Sequence, residues 1–209
     1  MASPELYPDS CFLIPIVTLS PDRVLQAAWG AWVLSWLAAA LWSTRTEQRP
    51  PRQHERRYRL ITALGALLLF GMHPAWPSID VQFWRPSGDA AWAIVVLAIC
   101  GFAFTWWARI ALGRLWSGTV TRKAGHFIVT TGPYALVRHP IYTGLLVAVV
   151  ATALMSGTVL PYFGAAVFAI GLVIKARLEE QFLRSELGED NYRNYARRVP
   201  MLVPFVRRP

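Results

Sequence analysis

Four side chains with chemical potential fall within nine residues of one another: Tyr134, Arg138, His139 and Tyr142. They offer an imidazole able to move a proton, a guanidinium able to pair a carboxylate, and two phenol rings whose faces attract cations. Their backbone is stiffened on both sides. Gly132-Pro133 is a turn signal, because glycine permits positive φ and proline presets φ near that of a turn. His139-Pro140 pushes His139 out of the helical region and lets a helix begin just after it. The whole stretch, residues 125–144, lies between two strongly apolar runs and is too polar to cross a bilayer itself. Ionisable and aromatic groups held at the mouth of a membrane helix are functional-site candidates.

The elements around this stretch are membrane elements. Hydrophobic residues make up 55% of the 209-residue chain and charged residues only 16%, with a mean hydropathy of +0.35. A soluble domain of this size carries more charge. The reading is an all-α integral membrane protein with five transmembrane helices, near residues 24–42, 60–76, 90–108, 141–155 and 159–176. A short apolar piece, residues 12–19, is broken by Pro15 and is expected at the interface. The N-terminus lacks the basic region of a signal peptide. The tail, 175–209, turns amphipathic: Leu178, Phe182 and Leu183 fall at helical spacing and Gly188 can end that helix. Tyr192, Tyr195 and Val199 mark a second amphipathic set, stopped by Pro200 and Pro204.

Charge orients the spans. The connection 43–59 carries six arginines against Glu47 and Glu55, and the connection 109–140 carries Arg109, Arg114, Arg122, Lys123 and Arg138 with no acid. The connection 77–89 has no basic excess. The positive-inside rule then puts the N-terminus outside and the C-terminus in the cytoplasm. The net charge of +9 is accounted for by topology and anionic head groups, so nucleic acid is not an expected partner. Cys11 and Cys100 make no ligand spacing, and neither a disulfide framework nor a metal site is expected. Gly157, Gly164 and Gly171, with the stripe Gly144, Ala148 and Ala151, predict close packing within the last helical hairpin. The ten tryptophans read mostly as interface belt and lipid contact. No dinucleotide fingerprint, P-loop or nucleophile elbow is present.

Two blocks match a known pattern. One is Gly125-His126, Val129-Thr130-Thr131-Gly132-Pro133-Tyr134 and Arg138-His139-Pro140-Ile141-Tyr142-Thr143-Gly144. The other is Glu179-Glu180, Leu183, Leu187-Gly188, Tyr192, Tyr195, Arg198-Val199-Pro200 and Pro204. In these the sequence resembles the isoprenylcysteine carboxyl methyltransferase family and its bacterial membrane relatives, over roughly the last 90 residues.

The resemblance implies S-adenosylmethionine as methyl donor, a cofactor pocket open to the cytoplasm and a lipophilic small-molecule acceptor arriving from the bilayer. By motif position it implies cofactor contacts at His126, Phe127, Ile128, Val129, Tyr134, His139, Pro140, Ile141, Tyr142 and Glu179. Lys175 stands where eukaryotic members have the substrate-side arginine, four residues before the acid. Lysine is a point charge without the bidentate fork. Glu179 can pair the donor's ammonium, and Arg138 or His139 its carboxylate. Arg138 and His139 are the catalytic candidates, with His139 expected as a cofactor ligand rather than a base. Arg138 can equally anchor its helix at anionic head groups, and Glu180 can be part of a solvated face.

The chain is thus expected to divide into residues 1–108, an interfacial segment with three spans, and 109–209, a methyltransferase core. The expected location is a bacterial inner membrane, crossed several times. The acceptor is a carboxylate, phenol or thiol. The alternatives are a phospholipid amine methyltransferase and a non-catalytic membrane protein of the same fold.

Overall fold

The structure is a computed structural model that describes residues 19–41, 46–48, 52–71, 81–113, 122–123, 129–187 and 189–206. The expected interfacial piece 12–19 and His73 fall almost wholly outside the described residues. In chain order the elements are α1 (Pro21–Ala40), β1 (Thr46–Gln48), α2 (Arg52–Phe70), α3 (Gly88–Leu112), β2 (Arg122–Lys123), α4 (Pro133–Leu136), α5 (Pro140–Ser156), α6 (Val159–Leu187) and α7 (Glu189–Arg198). Within the described residues, the five apolar stretches fall on helices. Two of these helices, Gly88–Leu112 and Val159–Ser185, are long and apolar enough to cross a membrane, and α5 is a shorter apolar helix.

Two antiparallel helix pairs make the body. In one, α2 lies against α6, with Thr62 against Gly171, Gly65 against Gly164 and Phe168, and Leu69 against Gly164. In the other, α3 lies against α5, with Gly101 against Gly144 and Ala148, and Thr105 against Gly144. The backbones touch at these crossings. A Cβ built on Gly144 would sit 2.5 Å from the carbonyl oxygen of Gly101, and one on Gly101 2.6 Å from that of Gly144. Glycine is required there because dispersion between close backbones drives association where water offers no hydrophobic force. The expected stripes hold at Gly164 and Gly171 on α6 and at Gly144 and Ala148 on α5, whereas Gly157 lies off the stripe, capping α5 against Trp84, and the partners differ from the expectation. The stripe on α6 faces α2 and the stripe on α5 faces α3, so the hairpin's two stripes serve two interfaces instead of one. Spacing along a helix reveals a flat face and not what lies against it.

α1 joins the body through its tryptophans. The Trp29 indole N–H donates to Thr152 Oγ1 at 2.8 Å, and that of Trp32 to Thr105 Oγ1 at 2.7 Å. Trp29 meets Phe102 edge-on at 4.8 Å, and Trp32 stacks on Trp36 at 5.0 Å. These two indoles glue helices together and so depart from the expectation that the tryptophans are mostly interface belt and lipid contact. A buried indole N–H needs an acceptor, and the two threonines supply it inside the bundle. Trp107 and Trp92 do lie exposed on α3.

The connections sort to two ends. β1 pairs antiparallel with β2, which brings the two basic connections together. At the other end Gln82 bridges Thr158, and the N–H groups of Phe83 and Trp84 donate to the carbonyl oxygen of Gly157. Gly157 closes α5 in the left-handed conformation, φ 65°. The last span and the first tail helix were expected as separate elements. They are one unbroken helix, α6, because the change from apolar to charged residues after Lys175 contains no residue that interrupts helical hydrogen bonding.

Gly144→Ala is expected to destabilise the fold by about 1–3 kcal/mol through overpacking. Gly30→Ala, mid-α1 with nothing within 4 Å of its Cβ, is expected to stabilise by up to about 1 kcal/mol. Thermal unfolding of both variants in one detergent checks the contrast; equal melting temperatures would contradict the register described above.

Candidate functional site

The antiparallel registers carry the functional stretch to one end of the bundle. There the C-terminal end of α3, the N-terminal end of α5, the last third of α6 and the first turns of α2 converge. Gly132, with φ 60°, turns the chain into α4, and Pro133 opens that short helix. His139 is the N-cap of α5 in a non-helical conformation, with Pro140 in the first turn. Both punctuation marks read from the sequence act as expected.

Glu179 and Glu180 point at this stretch from consecutive positions on α6. The Tyr142 hydroxyl donates to Glu179 Oε1 at 2.5 Å. His139 lies between the two acids, its Nδ1 3.5 Å from Glu179 Oε2 and its Nε2 3.3 Å from Glu180 Oε1. Its ring stacks on Tyr142, 5.4 Å between centroids and nearly parallel. Arg138 Nη2 sits 2.8 Å from Glu180 Oε1, and its Nη1 donates to the carbonyl oxygen of Ala196 at 2.8 Å. Arg184 approaches Glu180 Oε2 at 3.6 Å. Arg138, His139 and Glu180 are all buried. Arg138 therefore ties the loop to α6 and α7 and does not reach out to head groups, and Glu180 is not part of a solvated face.

Burial opposes the charged form of His139, but hydrogen bonds that its ring donates to the Glu179 and Glu180 carboxylates, with their negative charge, outweigh it and raise the imidazole above its ordinary value. With a carboxylate at each ring nitrogen, the ring is biased toward its protonated form and is a poor proton acceptor. Burial, with Glu179 nearby, pushes the Tyr134 phenol well up, so Tyr134 stays neutral.

The tail closes this end. The Tyr195 hydroxyl donates to the Tyr134 carbonyl oxygen at 2.7 Å, and Tyr192 packs edge-on against Tyr195. Both rings pack the tail, as their spacing suggested. Beyond α7 the N–H groups of Arg138 and His139 donate to the carbonyls of Pro200 and Met201.

Among the expected contacts, Tyr134, His139, Tyr142 and Glu179 come together. Pro140 is buried beside them, and Val129 and Ile141 are half-buried. His126, Phe127 and Ile128 lie outside the described residues. Lys175 stands one turn before Glu179, its Nζ 5.2 Å from the Tyr142 ring centroid and 5.7 Å from that of Tyr58. Tyr58 was missed by the sequence reading because it sits in an arginine-rich run that serves as a topology signal. The available signal was Glu55, Tyr58 and Thr62 on one helical face. Arg109 was missed because it was counted among the basic residues that orient the spans. Only 1% exposed, it donates to the carbonyl oxygens of Gly113 at 2.6 Å and Ala39 at 2.8 Å, placing a cation at the C-terminal ends of α3 and α1.

An imidazolium with a raised value stabilises the fold fully below about pH 6.5 and loses that contribution as pH rises through the raised value. The melting-temperature gap between the protein and His139→Gln is thus expected to be widest near about pH 6 and to narrow on the alkaline side. Unfolding curves across pH check it, and a gap independent of pH would contradict the imidazolium.

Residues 93–185 match the isoprenylcysteine carboxyl methyltransferase (ICMT) family. Methanethiol S-methyltransferase 2 of Bradyrhizobium diazoefficiens is 32% identical over 166 residues, 72% of this chain and 60% of that protein. Methanethiol S-methyltransferase of Mycobacterium tuberculosis is 30% identical, covering 76% of this chain and 67% of its own length. Protein-S-isoprenylcysteine O-methyltransferase B of Arabidopsis thaliana is 33% identical, covering 72% and 75%. The chain spans about three fifths to three quarters of the length of these relatives. With the paired acids, the His139-Pro140 cap and the tail all brought to one end of an all-helical bundle, the chain belongs to the isoprenylcysteine carboxyl methyltransferase family.

Proposed function

We propose that the protein is an integral membrane methyltransferase that uses S-adenosylmethionine and methylates a lipophilic small molecule, with a thiol as the acceptor class. Five helices, α1, α2, α3, α5 and α6, cross a bacterial inner membrane, with the N-terminus outside and the C-terminus in the cytoplasm. The arginine surplus of the two connections joined by β1 and β2 supports this orientation. Residues 109–209 form the methyltransferase core, and the first three spans shape the acceptor's approach.

The observation that carries the reading is the group around Glu179. Its carboxylate is held by Tyr142 and His139, and the ring faces of Tyr142 and Tyr58 already carry an ammonium, that of Lys175. A carboxylate beside aromatic faces that accept a cation suits a donor bearing both an ammonium and a sulfonium. When bound, the donor supplies an electrophilic methyl group. Glu179 would hold its ammonium, Tyr134 and Tyr142 would flank its adenine or sulfonium, and His139 would fix the orientation of Glu179. Arg138 acts through Glu180 as a positioning residue. The protein's task is to align the acceptor with the methyl group and to exclude water.

The thiol is supported by the names of the methanethiol relatives and by Lys175. A thiol reacts as its thiolate, and a nearby ammonium stabilises that anion. Lysine in place of a bidentate arginine fits a single charged sulfur better than a carboxylate.

Calorimetry on the detergent-solubilised protein is expected to show S-adenosylmethionine binding, weakened by Glu179→Gln about ten- to a hundredfold, the worth of a charge-assisted hydrogen bond. Folded protein that binds no donor would sink the reading and leave the non-catalytic one. Labelled donor offered with methanethiol, a longer-chain thiol, a prenylcysteine and phosphatidylethanolamine then reads out the acceptor; label only in the lipid would replace the thiol by an amine.

A further inference from the structure

After α7 the chain runs back across the start of α5. Three hydrogen bonds fix its path: Arg138 N–H to the Pro200 carbonyl at 2.8 Å, His139 N–H to Met201 at 3.1 Å, and Thr143 Oγ1 to Leu202 at 2.7 Å. Leu202 is thereby level with the first turn of α5. A turn at Pro204-Phe205 follows immediately. Phe205 has φ 65°, and it is the one non-glycine residue with positive φ among the described residues. For a bulky aromatic this conformation is a genuine outlier. Its result is visible in the exposure: Val203 is 59%, Phe205 89% and Val206 56% exposed.

Three apolar side chains in water on one short turn are unfavourable unless something covers them. Depth and charge identify the cover. α5 is an apolar helix of 17 residues, too short to span the hydrocarbon with residues to spare, so its first turn stands at the acyl boundary. The turn attached to it stands at the same level. Just before the strap, α7 exposes Arg193, Arg197 and Arg198, and Arg207 and Arg208 follow the turn in sequence. Apolar side chains flanked by arginines match an interface of anionic lipid.

We propose that the turn 203–206 is a lipid anchor. Val203, Phe205 and Val206 enter the acyl boundary, and the exposed Arg197 and Arg198 at the end of α7 lie against anionic head groups. The anchor pins the strap, and through it α7, over the end of α5 that carries His139 and Tyr142. The inference rests on the reading that α5 crosses the bilayer.

The test uses the full chain in nanodiscs containing phosphatidylglycerol, with Cys11 and Cys100 replaced by serine. A nitroxide is placed in turn at Phe205→Cys, at Val150→Cys on the exposed face of α5, and at Arg193→Cys on α7. Collision rates with oxygen and with a neutral nickel chelate are compared. Labels at 205 and 150 are expected to favour oxygen, with a ratio several-fold above that at 193. A label at 205 that meets nickel while 150 meets oxygen overturns the anchor alone, as does a label at 205 that meets neither reagent, which signifies a protein cover. A label at 150 that meets nickel overturns the spanning reading and the anchor with it.

Discussion

Two adjacent carboxylates, Glu179 and Glu180, set the terms for this end of the molecule. Consecutive residues on a helix point about 100° apart, so the two acids meet the one partner they share, His139, at different ring nitrogens. An uncompensated carboxylate in such a place is costly. The chain meets this by bringing two consecutive cationic residues, Arg138 and His139, opposite the pair. The non-helical cap at His139, before Pro140, leaves Arg138 and His139 both within reach of α6, at 2.8 and 3.3 Å from Glu180. Loop, helix and tail are thus one electrostatic unit.

This explains a division of labour between the acids. Glu180 is surrounded by Arg138, His139 and Arg184, and it links the loop to the tail through the Arg138 contact with Ala196. Glu179 has lighter company, one phenol and one shared imidazole, beside the ammonium of Lys175. The more heavily compensated acid holds the architecture, and the other is the one we propose meets the donor. Removing either member of a buried pair strands its partner, which is why neither serves as an ordinary surface charge.

The sequence revealed this end of the molecule better than the body. Gly132-Pro133 and His139-Pro140 constrain φ locally, so their effect is readable without knowledge of neighbours. The alternation of apolar and basic stretches likewise located all five long helices. What stayed hidden is whatever depends on which helix lies against which. Gly144 and Gly164 announced close approach, yet their partners Gly101 and Gly65 belong to helices that carry no motif. Trp29 and Trp32 looked like lipid contacts because the threonines that receive their N–H groups are about 73 to 123 residues away. Tyr58 lay within a run of arginines, and Arg109 was counted among the basic residues that orient the spans. Pairing across the bundle is three-dimensional information that a one-dimensional period does not contain.

The continuity of α6 gives these distant crossings a hold over the chemistry. Fifteen residues separate Gly164 from Glu179, a rod of about 22 Å. A tilt of roughly 3° about the glycine crossing would swing the carboxylate by about 1 Å, enough to break a hydrogen bond. The helix therefore works as a lever whose fulcrum is deep among the apolar side chains and whose working end is the acid pair. Bilayer thickness, which leans on the fulcrum through helix tilt, becomes a determinant of alignment at the far end.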